Sequence, residues 1–502
     1  MTTPANAWPL ENAVFSAAML AHRLPWADAP ARALGLTSLT REGAARAVLA
    51  HLRRSRSGRP VRLRTPFGSF LVPLGAADTA GLLAEGAAVH ALTDPVRLDA
   101  AGRRHGLYPH VAFPPDAAPT EADLSGPLAE ELQRVAAARR DDHALPWEVW
   151  RPGLLRAARR VVAGAAAADD TLLSEVLLRT AEAAGSRAYD GRSVALNRRL
   201  ARYLADPDPH SVAGHLERGR AAKPVVPAAR TQGVPPSGEG RPEEVLAHTL
   251  AVVCEAAVTT ALQALALTAA GMPGAAGSPA RAVALALEHF PPVEAAVYEV
   301  RTRFTWDGLL VEAGTDILVA PGWLRDRTEP AEPDGDDSGD DSGQGSGEGS
   351  GHHRGYAAGH GRPSPLCGSA TGCATTAFAV RVAQEIVRFF ADAGRPTLLS
   401  PALTPDRMPF TLAPSTLLVS LPGAGGVPPA ARAATPASYA VLARTGADRL
   451  DRHARTLAAC AAAAGWNGDE TGERFRMQLL DHAERCTRAA ADVRAAARRL
   501  GT

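Results

Sequence analysis

Two cysteines, Cys367 and Cys373, sit in the stretch SPLCGSATGCATTAFAVRVAQEIVRFF, which begins at Ser364 and ends at Phe390. Behind Cys373 the residues Phe378, Val382, Ile386 and Phe389 recur at helical spacing. They make one wide apolar face that extends through Ala379, Ala383, Val387 and Phe390, while Arg381, Gln384, Glu385 and Arg388 take the remaining sector. Cys373 therefore stands just before the amino end of a buried helix. The helix dipole and the unpaired amides at that place favour a thiolate, the form in which sulfur ligates metal. A second reading of the same residue is a small apolar side chain in a tight turn.

Other residues invite chemistry more weakly. His352, His353 and His360 precede the two cysteines, and imidazole with sulfur suits zinc. Their spacing matches no zinc template, and the three histidines lie in a segment too flexible to preorganise ligands, so a histidine-containing Gly/Ser linker is the preferred account of them. Glu255 and Thr259 lie one helical turn apart inside a long apolar segment, where the plain reading is a pair of polar residues satisfied within a buried helix. No phosphate-binding loop stands between a strand and a helix, no nucleophile elbow occurs, and no triad can be placed.

The elements that must position these residues are mostly helical. The chain has 502 residues, 46% of them apolar, enough for a large core, and its 54 basic and 53 acidic side chains leave a net charge of +1. No basic field exists to hold nucleic acid or an anionic membrane. Five cysteines without a CxxC pair read as reduced, and the amino terminus MTTPANAWPLENAVFS lacks a signal-peptide pattern, so a cytoplasmic location is expected. The segment VLAHTLAVVCEAAVTTALQALALTAAG (245 to 271) is long enough to span a bilayer. It carries His248, Glu255 and Gln263 and no aromatic belt, so it reads as a buried central helix.

Residues 60 to 92 read as two short strands turning at Pro66 to Gly68, then a helix after Gly75. From 122 to 206 helices dominate, with Pro146 and Pro152 as breaks, and a Pro/Gly/basic stretch at 218 to 241 leads into the central helix. The helix RAVALALEHF stops at Pro291 and Pro292, and FTWDGLLVEAGTDILVA then alternates as a small β-meander. Residues 328 to 363 are acidic, Gly/Ser-rich and nearly devoid of apolar side chains, which predicts disorder. RMPFTLAPSTLLVSLPG (407 to 423) reads as two more strands, and an Ala/Arg-rich tail broken near 466 to 472 as a helical hairpin. The expected organisation is one mainly α domain with a small β component over residues 1 to 424, holding the disordered insert, and a helical carboxy-terminal extension over 425 to 502.

In this order the elements resemble the haem-thiolate cytochromes, the cytochrome P-450 superfamily, and within it the bacterial fatty-acid peroxygenase branch. The resemblance rests on VRLRTPFGSFLVPLGAADTAGLL, on LEHFPPVEAAVYEVRTRFTWDGLLVEAGTDILVA, and on GCATTAFAVRVAQEIVRFF followed by RMPFTLAPSTLLVSL. It implies a cytochrome P450-like fold, with Cys373 as the proximal thiolate on a b-type haem iron, a ligand that favours O–O cleavage. Cys367 is not the ligand by this likeness, because only Cys373 keeps the family's interval to Arg407 and its apolar pair at Phe378 and Ala379. On that basis Cys373→Ala abolishes haem retention and Cys367→Ala leaves it.

The family pattern is altered at several positions. Leu366, Cys367, Ser369, Thr371 and Thr375 replace its glycines, aromatic and propionate-binding base around the ligand. Leu285 and Glu288 replace its Glu-x-x-Arg pair, and Leu250 and Ala251 replace the Arg-Pro pair of the peroxygenase branch. Glu299 replaces a propionate-binding Arg, for which Arg301 is the substitute, on the same side of a strand. In the monooxygenase register Val258 replaces the acid and Thr259 the alcohol that helps deliver protons, with Glu255 as the carboxylate. Two functions follow as expectations. One is a haem-thiolate oxidoreductase, a monooxygenase or peroxygenase acting on a small hydrophobic or biosynthetic intermediate, driven by a ferredoxin-type partner or by peroxide. The other is a catalytically degenerate haem-thiolate fold serving as a partner or scaffold protein.

Overall fold

The computed structural model describes residues 3–21, 40–98 apart from 67 and 94, 104–106, 119–138, 144–145, 147–183, 187–222, 241–324, 364–370, 373–400 apart from 395, 403–404, 408–409, 411–421, 436–463 and 470–500. The insert expected at 328 to 363, including His352, His353 and His360, lies outside the described residues, as do Thr371 and Arg407.

In chain order the chain forms β1 (Ala5–Asn6), α1 (Pro9–Ala21), α2 (Arg41–Ser55), β2 (Val61–Thr65), β3 (Gly68–Val72), α3 (Ala76–Ala88), β4 (Val96–Leu98) and β5 (Arg104–Gly106). A helical block follows: α4 (Glu121–Ala137), the short β6 (Ala144–Leu145), α5 (Trp147–Ala163), α6 (Thr171–Glu182), α7 (Tyr189–Ala205) and α8 (Val212–Ala222). The central helix α9 runs Pro242–Ala269 and α10 Pro279–His289. Then come β7 (Ala295–Glu299), β8 (Phe304–Trp306), β9 (Leu309–Val311), β10 (Asp316–Val319), α11 (Pro321–Leu324), α12 (Ala374–Asp392), β11 (Thr397–Ser400) and β12 (Leu418–Ser420). The chain closes with α13 (Pro436–Ala462) and α14 (Glu470–Leu500).

The mainly helical architecture with a small β component is the one expected. Seven strands form one sheet in the order β1-β2-β3-β10-β7-β4-β5, beside a three-stranded sheet β11-β12-β6 and the hairpin β8-β9. That hairpin turns through Asp307 and Gly308, both at positive φ of 45° and 72°, the pair of left-handed positions a two-residue turn of this twist demands. Two strand expectations are corrected. The meander is not one sheet: β10 leaves β8 and β9 and joins β3 in parallel and β7 antiparallel, because its buried Ile317, Leu318 and Val319 pack into two cores at once. Within 407 to 423, β12 is the one strand among the described residues, and it pairs with two earlier strands, β11 and β6. Pro152 does not break a helix either. It falls in the second turn of α5, where the loss of one amide bond is offset by burial of Trp150 and Leu154 on either side.

Helices α4 to α10 and α12 enclose the largest core, in which Trp150, Leu246, Leu265, Phe378 and Phe390 are almost fully buried. Helix α9 is long and apolar enough to cross a membrane by length and composition, but 83% of its most apolar window is buried within the protein, as expected of a core helix. Glu131, with 1% of its side chain exposed, ties α4 to α5. It accepts from Arg156 at 2.7 Å, from Arg160 at 2.9 Å and from Arg134 at 2.8 Å. Desolvation pushes its carboxyl pKa up, and the bonds from Arg160 and Arg156 outweigh that, so the net value lies below the ordinary carboxylate range. The tail forms the expected helical pair, with Arg494 of α14 bonded to Asp448 and Asp451 of α13.

Candidate functional site

Helix α12 starts where the sequence puts it, with Cys373 as the N-cap residue in extended conformation (φ −115°, ψ 115°). Its carbonyl accepts from Thr376 N at 2.9 Å, and no side chain caps the helix, so the thiol is left to face the core. Cys373 is 6% exposed. Opposite it stands the central helix, and His248 Nε2 lies 3.7 Å from Cys373 Sγ.

Cys367 reaches the same point from a tight turn. Ser364 Oγ accepts from the amides of Leu366 and Cys367, both at 3.3 Å, and Gly368 N donates to Ser364 O at 2.7 Å. Gly368 adopts a φ of 74°, open to glycine at no steric cost, and its carbonyl accepts from the buried Tyr298 hydroxyl. Thr376 Oγ1 lies 2.7 Å from Ser364 Oγ and 3.7 Å from Cys367 Sγ. The ligand atoms of His248, Cys367 and Cys373 all fall within 4.8 Å of one another, and all three residues are buried. The hydrogen bond with Cys373 and then burial push the Cys367 thiol pKa well above its ordinary value, against bonds from Ser364 and Ser369 that pull it down.

A haem held by Cys373 would need a flat open layer between the thiol and the element packed against it, which here is the central helix. Here the two touch: the 3.7 Å separation of Sγ and the imidazole nitrogen is direct contact, and Cys367 crowds the same point. No layer is left between thiol and helix for the macrocycle. The residues present do not fit haem at Cys373 in this arrangement.

Among the described residues, no other Cys, His, Asp or Glu joins this group. Glu255 and Thr259 are half-buried on α9, Glu255 within the π-helical turn Val252–Ala257. Such turns cluster at functional sites in general, and nothing in the sequence signalled this one. Arg301 is exposed, and it lies beyond the end of β7 at Glu299, so the expected alternation that would aim both residues to one side does not apply. Leu285 is buried in α10, in place of any ion pair. Cys254 is buried beside Arg159, and desolvation raises its thiol pKa to about 12. Sequence reasoning missed His248 as a site residue. It registered only as a polar interruption of an apolar helix, and that oddity was the available signal.

No protein-family model and no curated protein matches the chain. Solved structures do. The open cytochrome P450 Eryk from S. erythraea is 16% identical over 76% of this chain and 98% of that one, with a TM-score of 0.43. CYP109B1 from Bacillus subtilis is 12% identical over 74% and 98%, with a TM-score of 0.44. Cytochrome P450EX alpha (CYP152N1), solved with myristic acid, is 17% identical over 75% and 94%, with a TM-score of 0.43. The chain is similar in fold to the cytochromes P450. The likeness is one of fold alone.

Proposed function

We propose that this chain is a degenerate haem-thiolate-type protein whose cofactor slot is closed, working in the cytoplasm as a partner or scaffold rather than as an oxygenase. The observation that carries the reading is the contact of His248 Nε2 with Cys373 Sγ at 3.7 Å. The altered positions agree with it: Leu285 and Glu288 cannot form the buried ion pair of the family, Glu299 reverses a propionate-binding charge, and Arg301 is exposed. Residues 425 to 502 then form a unit distinct from the domain at 1 to 424, and the paired helices α13 and α14 offer a docking surface.

A second reading is favoured by Cys373 itself, which caps the amino end of a buried 19-residue helix opposite the central helix. It is a haem-thiolate oxidoreductase, a monooxygenase or peroxygenase acting on a small hydrophobic or biosynthetic intermediate with a ferredoxin-type donor or peroxide. It requires His248 to leave Cys373, and it gives Glu255 and Thr259 the proton-handling role and Arg301 a propionate. Titration of the purified chain with haemin separates the two. The closed slot is expected to give weak, non-stoichiometric uptake that Cys373→Ala leaves unchanged. Stoichiometric uptake lost in Cys373→Ala would support the oxidoreductase.

A further inference from the structure

We propose that His248, Cys367 and Cys373 bind one thiophilic divalent cation of the zinc class, with water in the fourth position. The proposal rests on the closed-slot reading above, since the same three side chains cannot serve an ion and admit a macrocycle. Geometry supports it first. With metal–sulfur bonds of about 2.3 Å and metal–imidazole bonds of about 2.0–2.1 Å, two ligand atoms on one edge of a tetrahedron lie about 3.5–3.6 Å apart, whereas a trans pair lies about 4.3–4.4 Å apart. His248 Nε2 and Cys373 Sγ are 3.7 Å apart, a tetrahedral edge rather than a trans axis. Cys367 Sγ completes a triangle whose sides are all within 4.8 Å.

Charge supports it next. Two thiolates and a neutral imidazole around a dication make a neutral unit, the form in which an ion can be buried among apolar side chains. The donor set, two sulfurs and one imidazole nitrogen, is the soft mixture zinc selects over calcium or magnesium. The Cys367 arm is already fixed by the Ser364 and Gly368 bonds and by the Tyr298 hydroxyl, and the His248 arm by the buried central helix, so the ion meets preorganised ligands. The spacing explains why no zinc template appears in the sequence: the histidine is contributed from 119 residues before the first cysteine, by another element.

The test uses the full-length chain, purified, incubated with zinc chloride, freed of excess metal and analysed for zinc and haem. About one zinc per chain is expected, with at least a tenfold weaker affinity in Cys367→Ser, Cys373→Ser and His248→Gln, the loss usual when a site is disturbed. Cys460→Ser, which changes an exposed cysteine, should keep the metal. Cobalt substitution gives a readout independent of activity. Intense thiolate-to-cobalt charge-transfer absorption with tetrahedral visible bands is expected, and each single Cys→Ser variant should lose about half of the charge-transfer intensity if it retains cobalt. Circular dichroism of the conservative Ser variants checks that they fold. A colourless chain that takes up no zinc, or zinc uptake unchanged in the Cys367→Ser/Cys373→Ser double variant, overturns the metal site and leaves the closed-slot reading standing. A chain purified with stoichiometric haem overturns both.

Discussion

Glu131→Gln is the sharpest test of how the helical block is held. The carboxylate is 1% exposed and accepts from Arg156 at 2.7 Å, Arg160 at 2.9 Å and Arg134 at 2.8 Å. Removing one partner of a buried ion cluster costs about 3–5 kcal/mol when the opposite charges are left without compensation, and here Arg156 keeps Asp169 and Arg160 keeps Glu130 as partners, which places the cost at the low end. The three guanidinium side chains are not equally buried, at 27%, 17% and 57% exposure, so water recovers part of the loss. Glutamine also keeps an oxygen to accept one bond. About 3 kcal/mol is therefore expected at neutral pH. Arg134→Ala should cost less than about 1 kcal/mol because its guanidinium is 57% exposed and Glu131 keeps Arg156 and Arg160.

The pH dependence fixes the sign. The folded carboxyl pKa lies below its ordinary value of 4.5, so its stabilisation is fully present above that value and is lost as pH falls through the lower folded one. The gap between wild type and Glu131→Gln should then shrink in acid. Urea unfolding followed by circular dichroism at a series of pH values measures it, provided the slope with denaturant is unchanged. A variant within about 0.5 kcal/mol of wild type at neutral pH, or a gap that does not close in acid, would refute the reasoning.

Other expectations concern packing. Phe390→Ala should destabilise by about 3–5 kcal/mol, since the ring is fully buried and meets Trp150 edge-on at 4.8 Å between centroids; a smaller shift in urea midpoint would mean that the site collapses around the gap. Gly214→Ala should destabilise more than Gly153→Ala in the same assay. A methyl at Gly214 would meet the backbone oxygen of Asp208 at 2.2 Å, whereas one at Gly153 meets Val135 Cγ2 at 2.3 Å, a side chain that can turn away. Arg494→Ala should change stability by less than about 1 kcal/mol, because the ion pairs joining α13 to α14 are largely solvated.

Much of the fold was legible because local signals agreed with tertiary packing. The strand pair β2-β3, the helix after Gly75, the stop at Pro291 and the amphipathic α12 all follow from period and punctuation. The partners of β10 and β12 were not legible, since strand pairing is set by distant segments that no local pattern names. At the site, Cys373 was readable from its place before a buried helix. Its neighbours were not: Cys367 had been set aside by resemblance, and His248 lies 125 residues earlier on another helix, so only the packing of α9 on α12 brings them together. The π-helical turn at Val252–Ala257 left no mark in the sequence, because its apolar residues continue the pattern of the buried helix on either side.

The central claim is that the space a haem would need above Cys373 is closed by His248. The measurement that bears on it most directly is the absorption spectrum of the chain purified from cells given a haem precursor, recorded reduced and with carbon monoxide. The account predicts a folded protein without a thiolate-type Soret band. A red-shifted Soret band of that type, lost in Cys373→Ala, would contradict it.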